Sequence, residues 1–187
     1  AKLKEKVKDR LFAIANDIIK IAAARELVNG IQINTDKKIL EDFQKSAGFD
    51  YTKDQKRSIR EIFTDLSSGR VMDRLLSGDV GFGKTEVAMN AMLAVILDGY
   101  QAIFVCPTTL LATQHYHSMQ KRFSEFGISI AKLDGKTSAK EKTHIKKGLA
   151  SGEIKLVIGT HSLLEIQTNN LALVIIDEEH KFGVKQK

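Results

Sequence analysis

Eight consecutive residues combine the types that bind a phosphate chain. Gly78, Gly81 and Gly83 punctuate a segment that ends in Lys84-Thr85 and matches the pattern G-x-x-x-x-G-K-S/T. Glycines let the backbone wrap round an anion with its N–H groups pointing inward, and a helix that starts directly afterwards adds its positive end. We expect Lys84 to contact the β- and γ-phosphates and the Thr85 hydroxyl to contact Mg²⁺. The predicted phosphate loop consists of Gly78, Asp79, Val80, Gly81, Phe82, Gly83, Lys84 and Thr85.

A cluster of acids follows 93 positions after Lys84, where the apolar run 173–176 ends in Asp177-Glu178-Glu179-His180. Carboxylates directly behind a buried strand are costly unless they are compensated, and a bound Mg²⁺ would compensate them. We expect Asp177 to hold the metal, directly or through water, and Glu178 to orient and deprotonate the attacking water. Lys84, Asp177 and Glu178 are therefore the predicted catalytic residues for hydrolysis at the γ-phosphate of a nucleoside triphosphate.

Both groups need strands and helices to hold them in place. From residue 70 onward, short apolar runs alternate with helical stretches, which is typical of βαβ units and a parallel sheet. The sequence therefore predicts an α/β fold with a doubly wound, mainly parallel sheet that binds ligands at the carboxyl ends of its strands. The predicted strands are 71–76, 102–106, 128–133, 155–158 and 171–176. The predicted helices are 84–97, 110–126 and 139–150.

The N-terminal part has a different pattern. Apolar residues recur at steps of three and four from Leu3 to Ile21, and Gly30 ends the run. This spacing predicts a long helix, which either packs on a neighbouring domain or pairs in a coiled coil. The expected organisation is a linker helix over 1–30, a connection over 31–46 with one short helix near 39–43, and a nucleotide-binding domain over 47–187.

Composition limits the function classes. The formal charge is +6, with 29 Lys and Arg against 23 Asp and Glu. Residues 131–155 carry +4 and residues 1–60 carry +5, so two basic segments flank a slightly acidic centre, which permits a nucleic-acid partner without requiring one. Cys106 is the only cysteine, and no apolar run approaches the roughly 20 residues that span a bilayer. The expectation is a cytoplasmic protein with no membrane partner.

The motifs resemble those of superfamily 2 DNA translocases and, among these, the family of bacterial transcription-repair coupling factors. The segment 47–187 looks like the first RecA-like motor domain of that family. RecG-type branch-migration helicases share most of the motifs, but Phe82 and Glu179 favour the coupling factors. The segments that carry the resemblance are 72–88, 107–112, 158–161, 177–180 and 182–184.

This resemblance implies ATP and Mg²⁺ as cofactors. Phe49 and Gln55 fall where such motors contact adenine, with the ring on the base and the amide on its edge. Thr52 and Gln55 also form a capping-box pattern, in which Gln55 bonds back to the helix start, and both roles stay open.

The resemblance also implies that two segments grip one strand of double-stranded DNA. Hydroxyls and backbone N–H groups at helix starts suit DNA phosphates, although plain helix capping is the alternative role for Thr108 and Thr109. Glu179 and His180 would link the ATP state to the DNA grip. The predicted DNA-binding residues are Pro107, Thr108, Thr109, Gly159, Thr160 and His161.

The implied partners besides DNA are a second RecA-like lobe of the same protein, which supplies an arginine finger, and RNA polymerase and excision-repair proteins bound through regions outside this chain. The chain alone, which ends before a coupling motif and a second lobe, is expected to be largely inactive. The alternatives are a RecG-like remodeller of replication forks and an interaction module switched by nucleotide.

Two other residue types have simpler expectations. His115 and His117 are two positions apart on a predicted helix and should face different sides, which argues against a paired metal site. Cys106 ends a predicted strand and is expected to be a small core residue.

Overall fold

The computed structural model describes residues 27–78, 83–166, 168 and 170–177, together with the isolated positions 16, 19, 20, 23 and 24. The long helix predicted over 1–30 lies mostly outside the described residues. Those five isolated positions are helical, but residues 27–30 are not, and Asn29 forms an antiparallel bridge with Arg70. Within the described part of the chain, no helix combines the length and apolar character needed to span a bilayer.

Five α-helices, one 3₁₀ helix and four strands make up the described residues. The α-helices are α1 Lys38–Lys45, α2 Lys53–Ser67, α3 Lys84–Leu97, α4 Thr109–Ser124 and α5 Ala139–Ser151. The strands are β1 Gln101–Val105, β2 Ile130–Leu133, β3 Leu156–Gly159 and β4 Leu171–Ile176, with the 3₁₀ helix His161–Glu165 between β3 and β4. The short helix expected near 39–43 is therefore confirmed as α1.

Local sequence signals explain the helix starts. The capping box predicted at Ser138 and Glu141 is present at the start of α5, and Thr52 and Gln55 form another at the start of α2. Apart from Asn90, α3 is apolar on all sides between Val87 and Ile96 and is buried throughout that stretch. A helix of this kind belongs inside the fold, so the segment that leads into it must approach the core.

The four strands form one parallel sheet in the order β2-β3-β1-β4. Val105 at the end of β1 pairs with Gly159 on one side and with Ile176 on the other. The expected α/β fold with a parallel sheet is therefore confirmed. Because the strands are parallel, their carboxyl ends share one edge, and this edge carries the residues that follow β1, β3 and β4.

The strand predicted over 71–76 is wrong. Residues 71–78 are irregular and make no ladder with another described segment. Asp73-Arg74 interrupts the apolar run, and Arg74 instead forms ion pairs of 2.7 Å with both Glu61 and Asp65 of α2. Met72 and Leu76 pack against the core while Leu75 is exposed, so the segment is anchored by side chains and not by strand pairing.

The expectation of a buried strand directly before Asp177 is also wrong, because only Leu173 of the run 173–176 is buried. Val174 and Ile176 are 45% and 50% exposed. β4 is an outermost strand among those that the structure describes, and alternate strand residues point to opposite faces, so only Leu173 of β4 is buried in the core.

Candidate nucleotide-binding site

The two ends of the phosphate loop meet at the start of α3. Gly83 precedes the helix with φ 70° and ψ 29°, a left-handed conformation that favours glycine. The Lys84 Nζ donates a hydrogen bond of 2.5 Å to the Gly78 carbonyl oxygen, so the ammonium lies across the loop. Thr85 is in the first turn of α3. The other predicted loop residues, Asp79, Val80, Gly81 and Phe82, lie outside the described residues.

The start of α2 lies directly against this loop. A Cβ placed on Gly83 would come 2.1 Å from Gln55 Nε2, so a side chain there could be accommodated only by moving the amide. Gln55 also completes the capping box, since the Thr52 N–H donates to Gln55 Oε1 at 2.9 Å and the Gln55 N–H donates to Thr52 Oγ1 at 3.2 Å. The structure therefore gives Gln55 the capping role and also places it beside the phosphate loop.

A cleft of about 160 Å³ separates α2 from the loop. Its lining combines side chains of α2 with both ends of the loop, namely Asp54, Gln55, Arg57, Ser58, Leu76, Ser77, Gly78, Lys84 and Val87. Phe49 does not line this cleft and is exposed, with its ring centroid 5.7 Å from that of Tyr51. Adenine contact by Phe49 and Gln55 stays a prediction.

A buried charged network that sequence spacing did not reveal includes Glu86 in the first turn of α3, directly after the loop. The Tyr51 hydroxyl donates a hydrogen bond to Glu86 Oε1, and Arg122 Nη2 donates to the same oxygen at 2.7 Å. Burial and the hydrogen bond to Glu86 raise the pKa of Tyr51 well above its usual range. Arg122 also donates to the Phe43 carbonyl oxygen at 2.8 Å. The network therefore joins α1, the chain before α2, the first turn of α3 and α4.

Asp177 follows β4 and extends its ladder, because its N–H donates to the Val105 carbonyl oxygen at 2.9 Å. Its carboxylate oxygen Oδ2 lies 2.9 Å from His115 Nε2 of α4. The side chains of His115 and Asp177 are only 17% and 22% exposed. Glu178, Glu179 and His180 lie outside the described residues. The predicted metal ligand therefore has a neighbour that sequence spacing did not reveal.

His115 and Cys106 each meet their simplest expectation, but they also lie close to Asp177. His117 is exposed, so the two histidines do face different sides of α4. Cys106 is fully buried, as a core residue should be. However, one ligand-type atom from each of Cys106, His115 and Asp177 lies within 4.8 Å of the others. The sequence alone does not indicate that His115 contacts Asp177, because the two residues are 62 positions apart.

The two segments predicted to bind DNA are neighbours at the carboxyl edge of the sheet, since β1 pairs with β3. Pro107, Thr108 and Thr109 follow β1, and Thr108 caps α4 by accepting a hydrogen bond of 3.2 Å from the Leu111 N–H. Thr108 is exposed all the same, which leaves it accessible to a ligand. Of the second segment, which comprises Gly159, Thr160 and His161, only His161 is exposed.

The basic segment 131–155 contains one paired cation and several exposed ones. Lys132 Nζ donates at 2.8 Å to Asp134, whose side chain is buried. Although burial alone would raise the pKa of the Asp134 carboxyl, the hydrogen bond from Lys132 and the backbone N–H of Lys136 hold it below its usual range. The lysines with exposed side chains are Lys136, Lys140, Lys142, Lys146 and Lys147.

A parallel α/β sheet with a phosphate loop before α3 and an acid after β4 is the arrangement of a RecA-like ATPase domain. The family model for DEAD/DEAH box helicases matches residues 52–187. The chain belongs to the DEAD/DEAH box helicase family.

Within that family, the chain is similar to the transcription-repair-coupling factor of Helicobacter pylori strain J99, with 52% identity over 186 residues that cover all of this chain and 19% of the relative. The ATP-dependent DNA helicase RecG of Thermotoga maritima is 46% identical over 181 residues, covering 96% of this chain and 23% of the relative. The resemblance to transcription-repair coupling factors is thus confirmed, and RecG is a relative as well.

Among solved structures, RecG bound to a three-way DNA junction superposes with a TM-score of 0.85 and 45% identity, covering 94% of this chain and 24% of RecG. The chain spans about a fifth of the length of these relatives.

Proposed function

We propose that this chain is the ATP-binding half of an ATP-dependent double-stranded DNA translocase that couples transcription to DNA repair by displacing stalled RNA polymerase. The observation that carries the proposal is the 52% identity to a transcription-repair-coupling factor along the whole chain. Such a protein acts on the bacterial chromosome in the cytoplasm.

The described residues fit ATP with Mg²⁺. The left-handed Gly83 and the start of α3 form a cradle for phosphates, and Lys84 projects across it. Thr85 and Asp177 supply the hard oxygen ligands that Mg²⁺ prefers. When bound, Mg²⁺ neutralises charge that develops on the phosphates, while Lys84 holds their oxygens and Glu178 orients the water.

Movement on DNA requires a link between the ATP site and the DNA grip. Pro107–Thr109 and Gly159–His161 end or follow strands at the same carboxyl edge of the sheet as Asp177. A movement of these strand ends would therefore change the ATP site and the DNA-binding segments together. In the proposal, Glu179 and His180 transmit the ATP state to these segments. The second RecA-like lobe closes on the site and supplies the arginine finger, so the isolated chain hydrolyses little ATP.

The test uses the full-length protein that contains this domain, with RNA polymerase stalled on linear duplex DNA. The wild type should release the polymerase in an ATP-dependent reaction. Glu178→Gln should retain bound ATP and abolish both release and movement on DNA. If polymerase release persisted in Glu178→Gln, the motor proposal would fail and a nucleotide-switched interaction module would be favoured.

A RecG-like remodeller of replication forks is the second candidate, favoured by the 45% identity and TM-score of 0.85 to RecG on its DNA junction. The same full-length protein should then be assayed for ATP-dependent unwinding of a three-way junction. Rapid branch migration without polymerase release would favour the RecG-like function over transcription-repair coupling.

A further inference from the structure

His115 of α4 contacts Asp177, the predicted metal ligand, which follows β4. α4 starts four residues after the end of β1 and passes over the carboxyl edge of the sheet, which brings His115 against Asp177. The ring of His115 also packs on Phe104 of β1, with centroids 5.0 Å apart. The residue is therefore held by β1 while its Nε2 contacts the Asp177 carboxylate.

The direction of this hydrogen bond follows from the chemistry of the carboxylate. An ionised Asp177 can only accept, so His115 Nε2 carries the hydrogen and donates. The bond occupies Oδ2 and fixes the rotation of the carboxylate, while the Asp177 N–H bond to Val105 fixes the backbone. We therefore expect Oδ1 to be the oxygen that contacts a further ligand.

We propose that His115 is a positioning residue for Asp177 and thereby sets the affinity of the site for the Mg²⁺ that accompanies ATP, an inference that rests on the proposed function. Residues that hydrogen-bond to a metal-binding carboxylate pre-orient it, so less ordering is required when the metal binds. Loss of such a partner typically lowers metal affinity or activity about 10- to 100-fold.

Three substitutions separate positioning from packing. His115→Phe keeps a ring against Phe104 but removes the donor. His115→Gln replaces the ring with an amide whose Nε2 can donate to Asp177. His117→Phe is the matched control, because His117 lies on the same helix and is exposed.

The experiment measures binding of a fluorescent ATP analogue to the full-length protein, first as Mg²⁺ is titrated and then in EDTA. For His115→Phe, the Mg²⁺ concentration needed for half-maximal enhancement should rise about 10- to 100-fold, with unchanged binding in EDTA. His115→Gln should lie close to the wild type, and His117→Phe should match it.

Two results would overturn the positioning role. One is an unchanged Mg²⁺ requirement in His115→Phe. The other is an equal loss of nucleotide binding in Mg²⁺ and in EDTA, which would indicate a purely structural residue. This inference alone would be refuted if the wild type bound nucleotide and hydrolysed it on DNA, and His115→Phe had the same Mg²⁺ requirement as the wild type. A wild type without Mg²⁺-dependent nucleotide binding would refute the proposed function as well.

Discussion

Replacing Glu86 with Ala should destabilise the chain strongly, because Glu86 is the acceptor shared by Tyr51 and Arg122. The side chains of Arg122 and Glu86 are only 14% and 9% exposed, and the ion pair between them is 2.7 Å long. After the substitution, the guanidinium stays buried without its counter-charge, and the Tyr51 hydroxyl loses an acceptor.

The structure sets the magnitude. Removing one partner of a buried ion pair typically costs about 3–5 kcal/mol. Arg122 keeps its hydrogen bonds to the Phe43 carbonyl oxygen at 2.8 Å and to Ser46 Oγ at 2.6 Å, and it stacks 4.0 Å from the centroid of the Phe43 ring. These contacts place the expected loss near the lower end, at about 3 kcal/mol. With a urea m-value of about 2 kcal/mol/M, the unfolding midpoint should fall by about 1.5 M.

Urea unfolding of the 187-residue chain, followed by circular dichroism, measures this shift. Glu125→Ala is the control, since Glu125 is exposed and its loss should cost less than about 0.5 kcal/mol. Adding Arg122→Leu to Glu86→Ala should recover part of the stability, because no buried charge is then left without a partner. A Glu86→Ala protein that is no less stable than Glu125→Ala would contradict the stabilising role of the buried ion pair.

Three further predictions concern stability. Gly159→Ala should cost at least about 1–3 kcal/mol in urea unfolding, because its Cβ would lie 1.7 Å from a backbone oxygen, whereas Gly135→Ala, with nothing within 4 Å, should be tolerated; equal effects would contradict this. Thr108→Ala should cost about 1 kcal/mol through loss of the helix cap, and Thr108→Ser should restore most of it; an unaltered midpoint in Thr108→Ala would argue against the cap. The hydrogen bond from Lys37 lowers the pKa of Asp98, so the stability that the pair contributes is present above the ordinary carboxyl pKa of 3.8 and is lost as pH falls through the depressed folded value. The difference between wild type and Lys37→Met, at most about 1 kcal/mol near pH 6, should therefore shrink towards pH 3, and a difference that grew in acid would contradict this assignment.

The features that sequence predicted best depend on neighbouring residues. The capping box at Ser138 and Glu141 joins positions three apart, and the start of α3 at Lys84 follows from the glycines just before it. The parallel sheet was predicted from short apolar runs that alternate with helical stretches. The period of the apolar residues distinguishes a strand from a helix, because it shows which side chains share a face. Each of these sequence patterns lies within one turn, one helix or one strand, so it can be recognised without knowledge of the rest of the fold.

Features that depend on distant partners could not be predicted in this way. The run 71–76 has a strand-like composition, but its conformation depends on ion pairs of Arg74 with α2. Glu86 meets Arg122 from 36 positions away, and His115 meets Asp177 from 62 positions away. Periodicity carries no information about these contacts, since they arise only when the helices pack on the sheet.

DNA-stimulated ATP hydrolysis by the full-length protein with Lys84→Ala decides whether this loop forms the ATP site. Lys121→Ala, at an exposed position of α4, is the control. If Lys84 stabilises charge on the transferred phosphate, its loss should lower the rate by at least about 10²- to 10³-fold while the control stays near the wild type. A Lys84→Ala protein that hydrolyses ATP on DNA at the rate of the control would contradict the assignment of the ATP site to this loop.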